Sequence, residues 1–79
     1  MVAFVYVLLS QQKPTRTYVG WTLDLERRLA QHNGGAGAKF TRGGIWTLVY
    51  AERHRTRNGA MRREAAVKRD RAFRALLRG

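Results

Sequence analysis

The first apolar run decides most of what this chain can become. Residues 2–9 read VAFVYVLL, eight apolar positions rich in branched and aromatic side chains, with no polar break. A run that short cannot cross a bilayer. It predicts a buried strand over residues 2–10. Residues 11–16 are polar and carry the only proline, Pro14. Thr17–Thr22 is again rich in β-formers and predicts a second strand, and the short connection predicts an antiparallel hairpin. Seventy-nine residues hold one small domain, residues 1–79, with one modest core and a small margin of stability.

Helix signals follow. Asp24 is a good N-cap, with Thr22 competing for the task. The helix is expected to run to about His32, where Asn33-Gly34-Gly35 supplies residues that tolerate positive φ. Residues 34–44 hold five of the eight glycines and predict a loop. Residues 45–52 predict a third strand. Thr56 or Asn58 caps a second long helix to about Arg69. Asp70 restarts a short terminal helix whose buried side is expected to be Phe73, Leu76 and Leu77. The sum is an α+β layout, a small three-stranded antiparallel sheet flanked by helices. The absence of cysteine excludes a disulfide framework, a thiolate zinc site and a cysteine nucleophile. No basic segment precedes the apolar run and no small-residue cleavage site follows it, so no signal peptide is read and a cytoplasmic location is expected.

Charge narrows the function. Sixteen Lys and Arg face five Asp and Glu, a net charge of +11, and thirteen of the sixteen are arginine. Such a surplus implies an anionic partner, nucleic acid first of all, and guanidinium forks suit phosphate oxygens. A membrane-surface role does not fit a chain of strands and packed helices.

Helix geometry sorts the candidates. With Leu25 at zero and about 100° per residue, Leu29 falls near 40°, His32 near −20°, Arg28 near −60° and Arg27 near 200°. Arg28 and His32 therefore flank the apolar stripe while Arg27 faces solvent. A snorkelling arginine and a cation at the helix C-terminus are the structural alternatives for Arg28 and His32. On the second helix, with Met61 at zero, Glu64 falls near −60°, within the arc of Ala65, Ala60 and Val67. A carboxylate there needs compensation. A divalent metal would supply it, and so would Lys68 as an i,i+4 ion pair. Glu52 and Asp70 rank below Glu64 as metal ligands. Trp21 is free to stack on a base or to pack on the sheet. Gly37-Ala38-Lys39-Phe40-Thr41-Arg42 combines backbone freedom with charge, so Lys39 and Arg42 are candidate phosphate contacts. The arginines of residues 53–63, Arg62 and Arg63 among them, offer a basic track for DNA.

The tripeptides Val5-Tyr6-Val7 and Tyr18-Val19-Gly20, with Arg28, His32 and Glu64 downstream, resemble the GIY-YIG nuclease family. The resemblance runs from Phe4 to about Lys68 and looks closest to the short stand-alone bacterial members. It implies a metal-dependent endonuclease acting on DNA, of the structure-selective repair or recombination type. It implies Tyr6, Tyr18, Arg28, His32 and Glu64 as catalytic residues. Glu64 would be the single protein ligand of Mg²⁺ or Mn²⁺, and Tyr18 the preferred base or water-orienting group, with Tyr6 beside it. The lysine that some family members carry three residues after the second tyrosine is here Trp21, which leaves His32 or Lys39 as candidates for that cation. A non-catalytic DNA- or RNA-binding module on the same fold is the alternative. A homodimer or a protein partner is compatible with either reading.

Overall fold

The computed structural model describes residues 2–34 and 45–78. Among them, strands β1 (Ala3–Ser10), β2 (Thr17–Thr22) and β3 (Trp46–His54) form one antiparallel sheet in the order β2-β1-β3. Helices α1 (Leu25–Asn33), α2 (Arg57–Arg69) and α3 (Arg71–Leu77) complete the described chain.

β1 is the middle strand and is covered on both faces. Ala3, Val5 and Val7 join Val19, Ala60 and Val67 in one cluster, while Tyr6 and Leu8 join Trp46 in another. None of these five β1 residues exceeds 2% exposure. A strand wet on one face would alternate with polar residues; a doubly covered strand needs the unbroken apolar run seen here. Each buried Val or Leu contributes about 1.5–3 kcal/mol relative to leaving it exposed. Leu25 and Leu29 bring α1 onto the Tyr6 face, and Ala60, Val67, Phe73 and Leu77 bring α2 and α3 onto the other.

The pairing of β1 with β3 contains a bulge. Val7 lies opposite Tyr50 and Leu8 opposite Leu48, so Val49 is the extra residue. One extra residue reverses which face each later side chain takes. Tyr50, Glu52 and His54, opposite Val7, Val5 and Ala3, therefore face α2, whereas Trp46 ends up beside Tyr6 and Leu8.

The helix starts follow from their caps. Thr22 and Asp24, competitors in the sequence, act in series. Asp24 N–H donates to Thr22 Oγ1 at 3.2 Å, and Asp24 Oδ1 accepts from Arg27 N–H at 3.1 Å. Thr56 Oγ1 accepts from Gly59 N–H at 3.0 Å, which makes Thr56 the cap of α2. Asp70 caps α3 through Phe73 N–H.

Three expectations fail for definable reasons. Gly34 ends α1 at φ −85° rather than in the left-handed region. Asn33 does the anchoring instead: its amide donates to Trp46 O at 3.1 Å and its Oδ1 accepts from Trp46 N–H at 2.7 Å, tying the end of α1 to the start of β3. Met61 is 47% exposed, because the buried arc of α2 centres on Ala60 and Val67 and places Glu64 at its edge. Leu76 is 79% exposed, since the seven-residue α3 buries only the narrow stripe of Phe73 and Leu77.

Candidate active site

The hairpin register sets the first two groups. Tyr6 pairs with Gly20 and Leu8 with Tyr18, so both tyrosines lie on the α1 face, with ring centroids 6.4 Å apart. The last turn of α1 lays His32 against them, 4.9 Å from the Tyr18 ring and 5.9 Å from that of Tyr6. Tyr6 Oη is 2.9 Å from His32 Nε2, and Arg28 Nε, one turn earlier, donates to the same oxygen at 3.4 Å. Gln31 steadies Arg28 by accepting from Nη1 at 3.2 Å. Tyr6, Tyr18, Arg28 and His32 therefore form one contiguous group. Trp46, brought round by the bulge, closes its base edge-on to Tyr18 at 6.5 Å.

Gly20 makes room for this group. A Cβ at residue 20 would stand 2.5 Å from Tyr6 Oη and 2.6 Å from Cζ, so only glycine lets the phenol cross β2 to reach α1.

Burial raises the Tyr6 pKa, with the Arg28 hydrogen bond opposing; electrostatic interaction with Tyr18 and Glu64 adds to the rise. Burial, then the charge of Arg28, lowers the pKa of His32. Arg28 is held more firmly protonated, chiefly by its hydrogen bond to Tyr6. At neutral pH the protons thus arrange themselves around a neutral imidazole. Tyr6 accepts from Arg28 and is able to donate its hydroxyl proton to His32 Nε2.

Beside the group, a depression of about 360 Å³ is lined by Trp21, Asp24, Arg27, Arg28 and Gln31 among others. Trp21 also packs on the α2 side of the core. Arg27 is exposed, as its helix phase requires, but it reaches the wall of this depression rather than turning away from it.

Glu64 lies on α2, 19% exposed, with Lys68 Nζ 3.6 Å from its Oε2. Lys68 in turn lines a depression shared with Tyr18, which places Glu64 one ion pair from the tyrosine side. Among the described residues no group of three or more His, Cys, Asp or Glu could hold a metal. The residues present therefore suit only an ion with one protein carboxylate and a shell otherwise made of water and substrate oxygen. Glu52 is occupied elsewhere. It accepts from Tyr50 Oη and from Arg63 Nε at 2.7 Å, and His54 Nε2 is 2.9 Å away. Burial pushes the Glu52 carboxyl up, but these hydrogen bonds and the Arg63 charge outweigh it and hold the group below the ordinary carboxylate range. Arg63, a candidate DNA contact, is thus a clamp between α2 and β3. Arg62 is exposed on α2. Lys39 and Arg42 lie outside the described residues. Sequence reasoning did not single out Gly20 or Gln31. The hairpin register across from Tyr6 and the i,i+3 spacing from Arg28 are the signals that identify them.

A hairpin carrying two tyrosines, an arginine on the following helix and a carboxylate on the next define a GIY-YIG domain. The GIY-YIG catalytic domain family model matches residues 2–75, and the chain belongs to that nuclease family. Within it the similar chains are UPF0213 proteins. One from Clostridium perfringens is 44% identical over 64 residues, 80% of this chain and 69% of its own length. One from Natronomonas pharaonis is 42% identical over 66 residues, 82% of this chain and 75% of its own. The solution NMR structure of a UPF0213 protein from Bacillus halodurans matches with a TM-score of 0.56 and 38% identity, covering 98% of this chain and 82% of that one.

Proposed function

We propose that the protein is a divalent-metal-dependent endonuclease that hydrolyses DNA phosphodiester bonds with selectivity for substrate structure. The observation that carries this reading is the bonding of Tyr6 Oη to both His32 Nε2 and Arg28 Nε, with Tyr18 against the same imidazole. Tyr6, 2% exposed and with a raised pKa, is a poor contact for water. Its role is to hold Arg28 and His32 in register. Tyr18, only half-buried, is the group that orients the attacking water. Arg28, aligned by Tyr6 and Gln31, meets a non-bridging phosphate oxygen as negative charge develops there. Glu64 is the residue that would hold Mg²⁺ or Mn²⁺, which when bound neutralises charge at the scissile phosphate and the leaving oxygen. The net charge of +11 supports a nucleic-acid substrate, and DNA is the favoured one.

The Lys68–Glu64 contact favours a second reading, a basic DNA- or RNA-binding module in which Glu64 belongs to an ion pair. Cleavage of labelled flaps, forks, single strands and RNA with Mg²⁺ or Mn²⁺ separates the two, together with Mn²⁺ titration and a thermal melt. Glu64→Gln is expected to abolish cleavage and weaken Mn²⁺ binding while DNA binding survives. Lys68→Met is expected to spare metal binding. Arg28→Ala is expected to slow cleavage about 10²-fold or more, the scale for one transition-state donor. Equal Mn²⁺ binding by wild type and Glu64→Gln, or no cleavage of any substrate, would leave the binding module as the better account.

A further inference from the structure

The third helix carries a cation pattern that the site beside α1 does not use. Arg71, Arg74 and Arg78 stand at i, i+3 and i+7, within about 60° of one another around the axis. These three residues alone line a depression of about 340 Å³. Phe73 and Leu77 face the core from the same segment, and the arginines, beside the exposed Leu76, lie on the outer side of α3. The macrodipole favours Arg74 and Arg78 at the C-terminal end of α3 but does not explain Arg71. Arg71 occupies the first helical position, where the macrodipole disfavours a cation, and like charges at i,i+3 repel. Among the described residues none of the three makes an ion pair. The neighbouring carboxylate, Asp70, accepts from Phe73 N–H as the helix cap. Arg74 Nε is buried and has no hydrogen-bond partner among the described residues. A desolvated donor on a cation is costly unless an acceptor meets it.

Arg74 also leads toward the tyrosines. With Tyr18, Lys68 and the backbone neighbours Thr17 and Val19 it lines a second depression, about 220 Å³. Among the described residues β2 is an edge strand, and none of them forms a further strand beside Tyr18 on that side. The arginine face of α3 and the group around Tyr6 are thus joined through Arg74 and Tyr18.

We infer that the Arg71–Arg74–Arg78 face is a second phosphate subsite. It holds the backbone of the same DNA strand whose scissile phosphodiester lies at Arg28 and Tyr18. The strand crosses the β2 edge, and Arg74, which lines both depressions, takes the phosphate nearest to Tyr18 with its guanidinium. Guanidinium forks match phosphate oxygens in pairs, which accounts for three arginines on one face with no carboxylate partner. This inference rests on the DNA reading above and names the path of the substrate across the same domain.

The test uses the full chain without divalent metal, so cleavage plays no part. Affinity for a fluorescein-labelled single-stranded DNA is read by anisotropy between about 50 and 200 mM salt. Arg71→Gln/Arg78→Gln is compared with Lys13→Gln/Arg69→Gln, an equal charge change at exposed positions outside the proposed face and outside the 53–63 track. Two lost phosphate contacts on a single strand should flatten the log–log salt slope by about 1.4. The α3 pair is expected to show that change and roughly tenfold weaker binding near 100 mM salt, and the control pair less than half of each. Arg74→Lys keeps the charge but loses the guanidinium fork and is expected to weaken binding severalfold. Thermal melts exclude misfolding, and Arg78→Gln alone, at the far end of α3, serves if the pair is unstable. Equal effects from the two pairs would overturn the subsite while leaving the nuclease reading intact. Competition by polyglutamate as effective as by DNA would reassign the face to an acidic protein. No DNA binding at any salt would remove both readings.

Discussion

Gly20 lies across the hairpin from Tyr6, and its missing side chain is a working part of the site. A methyl group there would meet the Tyr6 phenol rather than a flexible tail. Gly20→Ala should therefore destabilise the fold by about 1–3 kcal/mol, measured by urea unfolding, and should dislodge Tyr6 from His32. His32 allows a second prediction at this scale. Its folded pKa is lowered, by burial and by Arg28, below the unfolded value near 6.5. Between those two values the unfolded chain binds more protons than the folded one. Stability therefore rises with pH through that window and is lost as pH falls below about 6.5. His32→Asn should flatten this part of the stability profile, and an unchanged slope would mean that the imidazole titrates alike in both states.

At the scale of elements, α2 is fastened to β3 by one carboxylate. Glu52 holds Arg63 from α2 and bonds Tyr50 and His54 on its own strand. Its depressed pKa places this contribution above the ordinary carboxylate value near 4.5, and it disappears as pH falls through the folded value. Arg63→Ala should make that acid loss shallower. At neutral pH it should cost under about 1 kcal/mol, because the guanidinium is 41% exposed and screened. Stability against pH for the two proteins checks both statements. The elements themselves were legible because their signals are local: the apolar run, Asp24 and Thr56 as caps, and Asp70 between two helices. What joins them was not. The Glu52–Arg63 contact spans eleven positions and two elements, and the bulge at Val49 leaves no mark in a run of ordinary strand residues. The arc of α2 was drawn too wide, because Met61 was counted as core together with Ala60 and Val67. In the candidate site, helix phase put Arg28 and His32 on one face, while Tyr6 and Tyr18 were named through the family resemblance. The occupation of Glu52 was legible only in three dimensions.

For the molecule as a whole, charge dominates. A domain of 79 residues with a net charge of +11 should bind DNA through counterion release, with affinity falling steeply between about 50 and 200 mM salt. Filter binding or anisotropy over that range is the check, and binding insensitive to ionic strength would contradict it. Its two faces are also not independent designs. β3 supplies Trp46 to the tyrosine side and Glu52 to the helix side only because Val49 inserts a half-step between them. Shortening this strand by that single residue would leave every other amino acid in place and still force a choice: one end of the strand keeps its neighbours, and the other turns its side chains outward. Insertions and deletions here are therefore expected to be far less tolerated than substitutions, a spelling rule for the strand written in its length rather than its letters.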